Sequence, residues 1–274
     1  MMTGVHVWWY LLSLVSISNI TAWFYSARRL TGRKPELLPD IYRARRVLLW
    51  LSAIYVLVCA FRSFLPRIDL ERICLVESWL SSMLVGRTLA TIAELAFILQ
   101  CAILLREAGR GLQVRTAVGV FWSVVPLVVI AEGFSWYAVI TTNYLGSVIE
   151  ESLWLITGIL LVISFIALWP RVTDGQRYFL GAAMAYGIGF VLFMATVDVP
   201  MYWTRWLADS AGGVTYLSLQ EGIQDAARMC TASFEWSVWR EEIPWMTLYF
   251  TVTVWVSLLM VHAPVFLNKG QRAP

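Results

Sequence analysis

From Val148 to Trp169 the chain reads VIEESLWLITGILLVISFIALW, two adjacent carboxylates followed by eighteen residues without a formal charge. A helix rises about 1.5 Å per residue, and about 20 apolar residues span the hydrocarbon core of a bilayer. The stretch is long enough to cross a membrane. Glu150 and Glu151 bring into it a charge that lipid does not tolerate. Six further runs share this length and apolarity, near 5–27, 47–65, 79–105, 116–138, 178–201 and 243–263. The 274 residues are 59% hydrophobic and 14% charged with mean hydropathy +0.68, far from the composition of a soluble domain. The sequence predicts an all-α polytopic membrane protein of seven transmembrane helices, forming one domain over residues 1–274.

Basic residues resist translocation, so the side richer in Lys and Arg stays in the cytosol. With the amino terminus outside, fourteen of the 21 fall in cytosolic segments: Arg28, Arg29, Arg33, Lys34, Arg43, Arg45 and Arg46; Arg106, Arg110 and Arg115; Arg171 and Arg177; Lys269 and Arg272. Arg62, Arg67, Arg72, Arg205, Arg228 and Arg240 fall outside, and Arg87 lies within the third run. The amino terminus is expected outside and the carboxyl terminus in the cytosol. No basic residue precedes the first run, which ends in Arg28 and Arg29, so it reads as an uncleaved anchor rather than a signal peptide. The acids run the other way. Only Glu36, Asp40, Glu107 and Asp174 are cytosolic, leaving that side at +10 and the interior plus the outer side at −7. An outward-opening cavity in such a field draws cations, and the inner face meets anionic head groups. The insertion rule by itself accounts for the inner charge.

Two connections are long. Segment 28–46, broken by Gly32, Pro35 and Pro39, reads as a basic cytosolic loop with a short helix from Asp40 into the second span. Segment 203–242 holds Gly212 and Gly213 and then an amphipathic stretch. There Glu221, Asp225 and Arg228 share one helical face, and Leu219, Ile223, Ala226 and Cys230 lie nearer the other. Trp203, Trp206, Trp236, Trp239 and Trp245 bracket it, and indole rings favour the head-group level. The segment is expected to form an outer cap anchored on the membrane; an aromatic cage for a sugar or quaternary ammonium is the sharper alternative.

Several chemistries are excluded by residue type. The only lysines, Lys34 and Lys269, lie on the cytosolic side, so no retinal Schiff base fits inside the membrane. His6 and His262 stand near opposite ends of their spans, which rules out a bis-histidine haem and any histidine-ligated di-iron or zinc site. No Walker lysine, glycine-rich dinucleotide turn or Cys-x-x-Cys occurs. The partners expected are the lipid bilayer and other membrane subunits, not nucleic acid, and the expected location is the plasma (inner) membrane. Asn19-Ile20-Thr21 fits the glycosylation pattern but lies within a span. Of four cysteines, Cys59 and Cys101 fall inside spans, while Cys74 and Cys230 fall in outer connections where an oxidising compartment lets them pair.

The intramembrane charges are the one constellation fit for chemistry. Arg87, Thr91 and Glu94 occupy i, i+4 and i+7 on one face of the third helix, beside a strip of Gly86, Ala90 and Ala93. Arg87 and Glu94 stand about 10 Å apart along the axis, which predicts separate partners for them. For Arg87 the expected partner is Glu132, then Glu151, with Glu94 deeper in the same cavity. Glu132, Glu150, Glu151 and Asp198 bring carboxylates to the outer half, Glu241 and Glu242 precede the last span, and Trp136, Tyr137, Asn143 and Trp154 are placed to line a mouth. Such charges must face one another or water. One reading is an ion-pair lattice that holds the helices in register. Another is an outward-facing acidic pocket that binds or transports a proton, a hard cation or a small cationic solute. Paired carboxylates also suit the general acid and base of an intramembrane lipid-modifying enzyme, and a non-catalytic subunit of a membrane complex is the third alternative.

Overall fold

The computed structural model describes residues 3–266, so Lys269 and Arg272 of the inner charge count lie outside the described residues. Seven helical segments among them are long and apolar enough to cross a membrane, at all seven places where the sequence predicts a span. This fits an integral membrane protein. The chain divides into two compact units, the first comprising residues 3–97, 139–142 and 216–262, the second 98–138, 143–215 and 263–266.

In the first unit, α1 (Gly4–Gly32) packs along α2 (Pro39–Phe64), joined by a single 3-10 turn. Segment 28–46 is therefore mostly helix rather than loop, and Arg45, expected on a basic surface, is buried. Several polar side chains of α1 bond to the last span, which a low-dielectric surrounding favours. Trp8 Nε1 donates to Thr247 Oγ1 at 2.9 Å, and Ser26 Oγ lies 2.7 Å from His262 Nε2. The last span is two helices, Ile243–Phe250 and Val252–Val261, interrupted at Thr251. Asn19 is buried and its amide donates to the Phe250 carbonyl at this break, at 3.0 Å.

Three two-residue strands close one end of this unit. β1 (Arg67–Ile68) runs antiparallel to β2 (Ile73–Cys74), and β2 pairs in parallel with β3 (Thr231–Ala232). Cys74 and Cys230 are joined in a disulfide with their α-carbons 5.8 Å apart. The short helix Leu219–Ala226 is capped by Ser218 and Glu221, each side chain bonding the other's backbone; the Ser218 bonds hold the Glu221 carboxyl below its usual range. Of the apolar face expected from the sequence, Ala226 and Cys230 are buried, together with Gly222, while Leu219 and Ile223 are exposed. At Gly222 a β-carbon would overlap the Ile140 carbonyl, which is why no larger residue suits this contact.

The second unit contains the rest of α3 (Met83–Gly111), most of α4 (Arg115–Thr141), α5 (Tyr144–Leu168), α6 (Asp174–Phe193) and α7 (Val199–Gly212). Between α6 and α7, Met194–Asp198 form a π-helical turn, so that one helical rod of 39 residues runs from Asp174 to Gly212. The sequence places the end of this span near residue 201, and the helix runs past it, although Pro200 lacks an N–H and its ring collides with the carbonyl four residues back in a regular helix. The wider turn carries the helix past that obstacle. The connection to the last span starts instead at Gly213, in the left-handed conformation at φ 67°. α5 approaches α6 at Gly158, where a β-carbon would stand 2.9 Å from the Phe190 ring.

Gln113 and Thr142 sit in the turns before and after α4, both at positive φ. They report orientation directly. With Cys59 and Cys101 replaced by Ala, an impermeant thiol reagent on intact cells should label Thr142→Cys and spare Gln113→Cys. The reverse pattern would overturn the assignment of the amino terminus to the outside.

Candidate functional site

In the first unit the chain leaves α2 and re-enters α3 through a segment rich in buried arginine. Arg62, on the last turn of α2, lies 5.5–6.0 Å from the ring centroids of Trp245, Tyr249 and Phe250. The negative faces of these rings attract the cation where water does not reach it. Arg67 opens β1, is 2% exposed, and gives its Nε–H to Asp69 Oδ1 at 2.8 Å. Its guanidinium lies flat on Gly86, where a β-carbon would overlap it. Nη1 and Nη2 of Arg67 meet no hydrogen-bond partner among the described residues. Burial lowers the Arg67 pKa to about 10, Asp69 opposes that, and Arg62 and Arg87 add to it. Burial acts to raise the Asp69 pKa, yet the facing Arg67, Arg62 and Arg87 outweigh it and hold the carboxyl below its usual range.

One turn inside α3, Arg87 Nη2 donates to Glu94 Oε2 at 3.2 Å, and Tyr249 Oη donates to Glu94 Oε1 at 3.4 Å. The expectation that Arg87 and Glu94 reach separate partners is corrected by this bond. An axial offset of about 10 Å is bridged because an extended arginine is long and Glu94 leans back toward the helix start, as helical side chains do. Thr91, between them, is half-buried.

In the second unit Glu132 of α4 and Glu150 of α5 are both buried, and each offers a carboxylate oxygen within 4.8 Å of the other's. The hairpin between the helices sets this approach. Asn143 caps α5 by accepting from Leu145 N at 2.9 Å, and Gly146 follows, where a β-carbon would stand 2.8 Å from both Ala138 Cβ and the Phe134 carbonyl. With the helices held that close, two carboxylates one to two turns beyond the contact face each other across the pair. Glu151 stands about 100° further round α5 and is half-buried. Asp198 is buried in the π turn, and Trp136 is half-buried on α4. A buried carboxylate pair of this kind suits a shared proton or a hard cation.

Sequence reasoning singles out Arg87, Glu94, Glu132 and Glu150, but counts Arg62 and Arg67 as charges of an outer connection and sees the polar block from Arg62 to Glu77 as motif-like without giving either arginine a role. The signal for Arg67 is Gly86, which the small-residue strip identifies as a close approach without saying to what. No protein-family model, curated protein or solved structure matches this chain.

Proposed function

We propose that this membrane protein binds a cation at the Glu132–Glu150 pair, drawing it from the outer side, and moves it across the bilayer. The observation that carries this reading is the approach of two buried carboxylates within 4.8 Å on neighbouring helices. Like charges so close at low dielectric repel, and a proton or a hard divalent cation relieves that repulsion. The surplus of acids on the outer side and in the interior, −7 against +10 inside, concentrates cations at the entrance. Glu151 and Asp198 extend the acidic surface in this reading, and Trp136 lines its mouth. The plasma membrane is the assigned location, with the bilayer and neighbouring membrane subunits as partners.

Liposomes containing the purified protein test it. Glu150→Gln and Glu132→Gln should each lower proton or Mn²⁺ flux by about tenfold or more, corresponding to about 1.4 kcal/mol per decade. Flux equal to wild type in both variants overturns the reading. Unchanged flux with lost turnover of a lipid substrate would make the pair the acid and base of a lipid-modifying enzyme. Unchanged flux with lost stability alone would make it a structural element, as in a non-catalytic subunit.

A further inference from the structure

The end of the first unit where α2 stops and α3 starts holds a buried cation that its own protein surroundings do not satisfy. Among the described residues, only Nε–H of the Arg67 guanidinium is taken, by Asp69. The end-on fork formed by Nη1 and Nη2 keeps its donors while 2% exposed. Leaving such donors unmet away from water is costly, more so for a charged group. Arg62 lies beside three aromatic rings, and no carboxylate is within 4.0 Å of it among the described residues. Gly86 allows the guanidinium to lie against the helix backbone, which fixes the direction of the fork.

We propose that Arg67, fixed on Gly86 and supported by Arg62, is the anchor of a binding site for a phosphate-type oxyanion, supplied by a phospholipid head group or by free phosphate. The end-on fork matches two oxygens of a tetrahedral oxyanion, the arrangement in which arginine outperforms lysine. Phosphate chemistry is favoured by depth. Arg62 ends the second span and Gly86 begins the third, the level at which head-group phosphates lie. Asp69 complements this by holding Nε, which leaves Nη1 and Nη2 as the donors for an anion. This inference uses none of the residues of the Glu132–Glu150 reading, so either can fail alone.

The full chain, purified and delipidated, is titrated with inorganic phosphate while its thermal unfolding is followed. In parallel, the protein is taken from nanodiscs of phosphatidylcholine with or without phosphatidic acid, and retained phospholipid is counted by native mass spectrometry. Wild type should be stabilised by phosphate, or should retain about one phospholipid per chain, and the arm that responds identifies the source. Arg67→Gln should weaken the response by about tenfold or more, from the loss of a charge-assisted fork. Arg67→Lys should restore part of it and Arg240→Gln, at an exposed position, none of the loss. Gly86→Ala should mimic Arg67→Gln by moving the guanidinium. Wild type that neither gains stability from phosphate nor retains lipid overturns the proposal, whether or not the variants fold. Equal responses from wild type and Arg67→Gln overturn it as well.

Discussion

Arg87→Ala is expected to cost about 3–5 kcal/mol of stability, because it leaves Glu94 as a buried carboxylate without the guanidinium that now faces it at 3.2 Å. The Tyr249 hydroxyl that also reaches Glu94 stands at 3.4 Å, long for an O–H···O bond, and carries no charge, so it offsets little of that loss. Arg87→Ala combined with Glu94→Gln should recover a large part of the deficit, since removing both charges also removes their desolvation cost. The cycle therefore predicts a strongly non-additive pair, with a coupling of about 1–3 kcal/mol in thermal or denaturant unfolding of the detergent-solubilised protein. Additive losses would show that Arg87 and Glu94 act independently, and the bond between them would contribute nothing to the fold. Tyr249→Phe should have a far smaller effect, about 1 kcal/mol, and serves as the control for packing around the pair.

The helical part of this fold was legible because one requirement dominates: backbone groups in lipid must be bonded within their own segment, so apolar runs of sufficient length become helices. That logic found seven spans. It did not find where they break or run on. The last span breaks at Thr251 where Asn19, 231 residues from Phe250, takes up a carbonyl. The sixth runs on past Pro200 because a π turn absorbs the ring, a local choice with no compositional signature. The sheet was equally hidden, since its strands are two residues long and too short to show alternation. Among the candidate residues, burial of Glu94, Glu132 and Glu150 follows from the cost of charge in lipid, whereas Arg67 lies outside the apolar runs. Nothing in a loop arginine announces burial; the partner that permits it, Gly86, has no side chain to pair with.

Replacing both Cys74 and Cys230 with Ala is expected to cost about 2–5 kcal/mol and to free the segment after α7 for proteolysis. The bridge joins residues 156 apart, and the loop-closure entropy it removes from the unfolded chain corresponds to about 5 kcal/mol in the chain-entropy model. Other ties at the same place are few and local. Arg72 Nε bonds Asp225 at 2.7 Å while its other nitrogens bond the Asp69 and Val139 carbonyls, and Met83, Val139 and Ala226 pack around the two sulfurs. Two-residue strands pairing Ile73 with Thr231 and Cys74 with Ala232 are too short to hold the segment unaided. Arg72→Ala should accordingly be mild with the bridge intact and severe without it, because both restrain the same chain ends. Limited proteolysis between residues 213 and 235, compared before and after reduction, reads this out without denaturing the helices. If reduced and oxidised protein unfold at the same temperature and resist protease equally, the Arg72 network and the packing around Ala226 carry the attachment, and the bridge is dispensable.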